Sequence, residues 1–341
     1  MRLTPKTLEI RTSPHIVSGL QTNTIMQNVV WALLPVTAFA IYSFGLTALF
    51  TLSVATASTV LTEHILCRIS KKESTISDWS AVVTGLLFGL TLPPGLPLWM
   101  IALGGFISIA LPKYIFGGLG YNAFNPALVG RAFLQAAFPV AITTWLPALS
   151  ADRFVSIAKS SLALPFMKPT YEAVTGATPL ALMKFDHQIT ATSDLMFGLT
   201  SGSTGETSGV IILLGGLYLA SRRMMNWKIP ASIFATTIIL SEFFHWLNPE
   251  IYPNSLFMLF SGGLMLGAVF MATDMVASPM TTKGVIIYGA IIAAIIYVVR
   301  IWGGLPEGVM YAILFANAVS PHLDRMIQPR VYGTKKQRAI S

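Results

Sequence analysis

Thr175-Gly176-Ala177-Thr178-Pro179-Leu180 presents a hydroxyl in a setting suited to covalent modification. A threonine hydroxyl has no special reactivity of its own, so its neighbours carry the meaning. Gly176 and Ala177 remove side-chain bulk just before Thr178, which lets a modifying enzyme approach the backbone closely. Pro179 biases Thr178 towards an extended conformation and predicts a hydroxyl held away from the chain. Three further residues interrupt apolar sequence. Asn125 followed by Pro126 reads as a helix entry, with the amide as N-cap and proline at the first helical position. Arg131, about two turns further on, would be costly against lipid and should face protein, water or an anionic ligand. Asp274 follows an apolar run and precedes Pro279. It reads either as a boundary residue or cap, or as an acid binding a cation or relaying protons at an interrupted helix.

The elements that must position these residues are helices in a bilayer. The 341 residues are 54% hydrophobic and only 11% charged, against about 25% charged in soluble domains. Mean hydropathy is +0.67. Ten apolar runs separate at breakers, at about 27–44, 46–67, 79–93, 97–116, 124–145, 207–221, 229–248, 255–273, 284–302 and 306–321. Some are too short or too broken to cross as simple helices. Residues 1–26 are polar and basic and resemble no cleavable signal, so insertion by the chain's own helices is expected. The expected organisation is a cytoplasmic segment 1–26, a first membrane repeat 27–145, a loop 146–206, a second repeat 207–321 and a basic tail 322–341.

Charge distribution orients this arrangement. With the N-terminus inside, the cytoplasmic parts hold 17 Lys and Arg and the other side five, which accounts for all 22. The 146–206 loop with Thr178 then falls outside the cytoplasm. The net charge of +8 is explained by basic cytoplasmic loops, and no nucleic-acid partner is expected. A connection of that length without its own spanning run points to function. The basic tail reads as a topology anchor touching anionic lipid.

Several features carry less. The one cysteine, Cys67, excludes an internal disulfide and any iron–sulfur cluster made by this chain alone, and reads as a buried inert thiol. Glu63-His64 and Glu242 with His245 lie near segment ends, where solvation is the default. No His/Cys/Glu grouping has metal-ligand spacing, so no metal is expected. Gly202-Ser203-Thr204-Gly205 lacks a following Lys and is no phosphate loop.

The two halves echo one another. Thr84-Gly85-Leu86-Leu87-Phe88-Gly89 runs into Pro93-Pro94, as Gly262-Gly263-Leu264-Met265-Leu266-Gly267 runs into Asp274 and Pro279. Five segments per half would make the repeat inverted, and interrupted helices in matching places point to a site between repeats.

Across nearly its whole length the chain resembles the family of Rnf electron-transport complex D subunits, relatives of the B subunit of sodium-pumping NADH:quinone reductase. The resemblance rests on Thr12-Ser13-Pro14-His15, on the stretch from Tyr121 to Phe133, on the tag ending in Thr178, and on Phe270-Met271-Ala272-Thr273-Asp274 with Ser278-Pro279. The tag usually begins with Ser where this chain has Thr175. The resemblance implies an all-α polytopic bacterial inner-membrane protein with a urea-transporter-like architecture of two inverted five-segment repeats. It implies FMN joined by its phosphate to Thr178 by a flavin transferase, and a second, non-covalent flavin (riboflavin). The partners implied are membrane, iron–sulfur and flavin-bearing subunits of a complex coupling ferredoxin and NAD chemistry to Na+ or H+ movement. Within that picture Arg131 is either half of an interhelical ion pair or a contact to the second flavin or a quinone. Two other readings remain: a small-solute transporter with no redox role, and the quinone-reductase B subunit itself.

Overall fold

In hydrocarbon no water is at hand to satisfy backbone N–H and C=O groups, so an apolar chain must pair them within each segment, and a helix does so. A computed structural model describes residues 21–71, 75–165, 167, 176–198, 200–206 and 208–329, and among these residues there is no strand. The motif at Thr12 to His15, Thr175 and the tail beyond 329 lie outside them.

The first half contains α1 (Thr22–Ile69), α2 (Ser80–Leu90), α3 (Leu98–Ile109), a π-helical continuation (Ala110–Tyr114), α4 (Pro126–Ala137) and α5 (Pro139–Ile142). In the following connection lie α6 (Pro179–Asp186) and α7 (Thr192–Phe197). The second half contains α8 (Gly209–Ser221), α9 (Lys228–Leu247), α10 (Ser255–Phe260), α11 (Leu264–Leu266) with a π-helical continuation (Gly267–Met271), α12 (Thr282–Trp302) and α13 (Val309–Met326). Among the described residues, α1, α9 and α12 are long and apolar enough to cross a membrane.

A straight helix of 48 residues would be roughly 72 Å long, more than twice the hydrocarbon thickness of about 30 Å. Gly45 divides it, with φ 65° and ψ −141° inside the helix. This conformation favours glycine, and space demands it too: a Cβ there would lie 1.9 Å from the Arg153 carbonyl oxygen. Leu46 N–H donates to that oxygen at 2.9 Å. The break coincides with the expected boundary between 27–44 and 46–67.

The run expected at 124–145 is interrupted. α4 stops at Ala137, because Pro139 has no N–H to continue the ladder, and Phe138 leaves the helical region. The segment expected at 255–273 is likewise broken, between Phe260 and Leu264. The 146–206 connection returns to the bundle. Thr204 N–H donates to Leu92 O and Gly205 N–H to Leu90 O, which satisfies carbonyls at the C-terminal end of α2.

One apolar core runs through both halves, joining Leu33, Phe88 and Leu128 to Met265, Ile292 and Ile313. α1 packs on α2, α3 and α8, while α4 packs on α13. A smaller cluster of Leu180, Met183, Leu195, Phe257, Met258 and Tyr297 seats α6 and α7 against α10 and α12.

Candidate functional site

Thr178 caps α6. Its backbone is extended, with φ −72° and ψ 151°, as Pro179 requires. The hydroxyl does not point away from the chain as expected. It folds back to accept the Ala181 N–H at 3.2 Å, because the helix start leaves that donor without a backbone partner. The residue is only 8% exposed, yet it lines a cavity of about 400 Å³. That volume is in the range of cofactor sites. Trp145, Phe185 and Tyr311 supply aromatic surface to the wall, and Gly176, Ala177 and Arg131 complete the part near Thr178. Gly176 N–H, bonded to Trp145 O at 3.0 Å, ties the tag to the end of the first half.

Arg131 reaches this cavity from α4. It is 9% exposed and pairs with Glu307 at 3.1 Å. The ion pair expected as one of two readings therefore exists, and it joins the halves. Its Nε has no hydrogen-bond partner. Behind it lie two charges that sequence reasoning did not single out. Arg300, which the charge pattern counts on the extracytoplasmic side, is fully buried within α12. It donates to Met258 O at 2.5 Å and Ser261 O at 2.8 Å, filling carbonyls freed by the α10–α11 break. Glu206 lies in the connection before α8. The residue as a whole is partly exposed, but its Oε1 is sealed from solvent and unpartnered. Burial first, then repulsion from Glu307, pushes its carboxyl up to about 7, although Arg131 and Ser203 pull the other way.

Asn125 and Asp274 belong elsewhere. Asn125 is the N-cap of α4: its Oδ1 accepts from Ala127 N–H at 3.1 Å and Leu128 N–H at 3.3 Å. Its amide donates across the molecule to Met271 O at 3.2 Å. Asp274 accepts from Asn122 Nδ2 at 3.0 Å and from Val276 N–H at 3.0 Å, so it closes a turn and joins the halves. Both line a second cavity, of about 130 Å³, with Lys113 and Thr84. The structure thus groups Thr178 with Arg131, and Asn125 with Asp274.

Glu63 is not solvated as its position near a segment end suggested. It is 2% exposed, and Lys113 Nζ lies 2.8 Å from each carboxylate oxygen. Cys67 is buried and free. Among the described residues no three His, Cys, Asp or Glu side chains gather as a metal would need.

The model of the NQR2, RnfD, RnfE family matches residues 9–333. The chain belongs to that family. The D subunit of the proton-translocating ferredoxin:NAD(+) oxidoreductase complex of Clostridium ljungdahlii is 40% identical over 337 residues, with 96% of each chain covered. Its counterpart in the Na(+)-translocating ferredoxin:NAD(+) oxidoreductase complex of Acetobacterium woodii is 40% identical over 333 residues, again with 96% of each covered. The D subunit of the ion-translocating oxidoreductase complex of Aliivibrio salmonicida is 36% identical over 346 residues, covering 96% of this chain and 99% of its own. The match to NQR2, RnfD and RnfE proteins takes in the residues lining both cavities and the tag in the wall of the first.

Proposed function

We propose that this chain is the membrane subunit of an Rnf-type ion-translocating oxidoreductase complex and carries FMN on Thr178. The observation that carries the proposal is the position of the Thr178 hydroxyl, at a helix N-terminus in the wall of a cavity of about 400 Å³. The lining fits the group. α6 offers the positive end of its dipole to a phosphate. Trp145, Phe185 and Tyr311 offer faces to a flat ring. Arg131 adds a cation with a sealed, unpartnered Nε. When bound, FMN supplies the electron-carrying chemistry, while the protein positions and tunes it.

The chain's own residues have definable tasks. Thr178 tethers the cofactor and keeps it at high effective concentration. The recess restricts water on one side, and Arg131 favours negative charge in the cavity. Ten membrane segments in two inverted, urea-transporter-like repeats, with both termini cytoplasmic and the Thr178 loop periplasmic, complete the reading. Its support is the charge asymmetry together with the interrupted helices at Pro93-Pro94 and Gly262-Gly263. Iron–sulfur and flavin-bearing partner subunits would deliver the electrons, and a flavin transferase would install the FMN. The cavity beside Asn125 and Asp274, at about 130 Å³, is smaller than the roughly 300 Å³ at which cofactor sites begin. The second, non-covalent flavin is therefore not assigned to this cavity, and the residue-level cofactor site proposed is Thr178.

Intact-mass analysis of the purified subunit should find one added FMN, and the denatured band should fluoresce under ultraviolet light. Thr178→Ala should abolish both signals while the protein remains in the membrane. A native mass equal to that of the amino acids alone would remove the redox role and favour a small-solute transporter.

A further inference from the structure

The hydrogen bonds around the α10–α11 break do not balance. Gly262 turns the chain with φ +63°, and a Cβ there would lie 3.0 Å from Glu307 Oε1 and 3.3 Å from an Arg300 terminal nitrogen. Gly263 N–H donates to Glu307 Oε1 at 2.5 Å. Glu206 Oε1 stands 3.6 Å from where a Gly263 Cβ would be. With Arg131 on Glu307 Oε2, two arginines and two carboxylates gather here, and Arg131 Nε, Arg300 Nε and Glu206 Oε1 are sealed from solvent without partners. Glu307 has both oxygens bonded, Oε2 to Arg131 and Oε1 to the Gly263 N–H. Arg300 is committed to backbone carbonyls. Glu206 Oε1 has no donor at all, so among these carboxylate oxygens its charge is held least well.

Arg131 and Glu307 also line the Thr178 cavity. Negative charge arriving there draws on the same Arg131 that partly stabilises Glu206, and in a low-dielectric interior such competition is felt over several ångströms. We infer that Glu206 is a proton-loading site, which takes up one proton as negative charge enters the Thr178 cavity and releases it as that charge leaves. The inference rests on the FMN reading. One electron enters the cavity from a low-potential reductant of the ferredoxin class, delivered through a partner subunit. One proton from water forms an O–H bond on Glu206 and leaves hydroxide in the bulk; passage of the electron to a higher-potential acceptor of the NAD-linked class on a partner subunit removes the charge, and the proton returns to water. The charged groups facing Glu206 are Arg131 from α4, Arg300 from α12 and Glu307 from the segment before α13.

Redox-difference infrared spectra of the purified whole complex test this. At a pH above about 7, where Glu206 is mainly ionised before reduction, reduction of the wild type should produce a protonated-carboxyl carbonyl band that shifts in D2O. Glu206→Gln should lose that band while the subunit keeps its FMN mass. Glu206→Asp, which retains a carboxyl, should show a band at a changed frequency. A wild-type flavin that is reduced with no such band, or a band unchanged in Glu206→Gln, overturns the proton site and leaves FMN at Thr178 standing. A wild-type subunit with no flavin mass overturns both.

Discussion

Two buried charge groups sit among the described residues, and they are built differently. In the first, Lys113 Nζ donates to both oxygens of Glu63 at 2.8 Å and to Ser80 Oγ at 2.6 Å, while the Thr75 hydroxyl also donates to Glu63. In the second, around Gly262-Gly263, four charges meet, yet Arg131 Nε, Arg300 Nε and Glu206 Oε1 lack partners. Burying charge is tolerable only when the partners are complete. The first group meets that condition and serves to lock α1 to the π-helical turn. The second does not, and a group held so incompletely is free to change its protonation or its partner.

The sharpest way to break this contrast is to open the closed pair. Lys113→Met leaves the buried Glu63 charge with only the Thr75 hydroxyl as donor, and should cost about 3–5 kcal/mol, read as a lower melting temperature in detergent. Adding Glu63→Gln should recover much of the loss. Glu206→Gln should cost well under that, since Oε1 has no hydrogen bond to lose. Equal losses for Lys113→Met and Glu206→Gln would erase the distinction between the groups.

A finer test uses pH. The Glu206 carboxyl is raised from 4.5 to about 7, so the folded state holds a proton that the unfolded state releases. Its contribution is full below about 4.5 and is lost as pH rises through about 7. The wild type should therefore lose thermal stability across that window more than Glu206→Gln does, and parallel profiles would contradict the assignment. The smallest effect is expected at Asn125→Ala. It removes the α4 cap and the bond to Met271 O, and should cost about 1–2 kcal/mol with no change in flavin mass.

What the sequence disclosed was what depends on neighbours in the chain. Gly45 marked a helix boundary because glycine and local hydropathy agree there, and Asn125-Pro126 announced its cap. Thr178 stood out because small residues and a proline flank it. The fold-back of its hydroxyl was less legible, since it depends on α6 starting at once and leaving Ala181 N–H unpaired. Pro139 was visible, yet the apolar run around it concealed the break. The Arg131–Glu307 pair joins residues 176 positions apart, and nothing local to either one names the other. Glu63 illustrates the same limit: a residue near a segment end looks solvated until α2 and the π-helical turn close over it. Arg300 was counted only as a charge marking one side of the membrane, because charge patterning counts positions and does not see the carbonyls exposed by a broken helix.

The π-helical turn at Ala110–Tyr114 places Lys113 under unusual geometric control. Such a turn accommodates one residue more than an α-helical turn. Deleting a single residue from it would let the turn close up as an ordinary α-helical turn, with the change concentrated on the residues of the turn itself. The ammonium group would then leave Glu63 and face a different neighbour, so the spacing of the backbone here acts as a key cut for one charge.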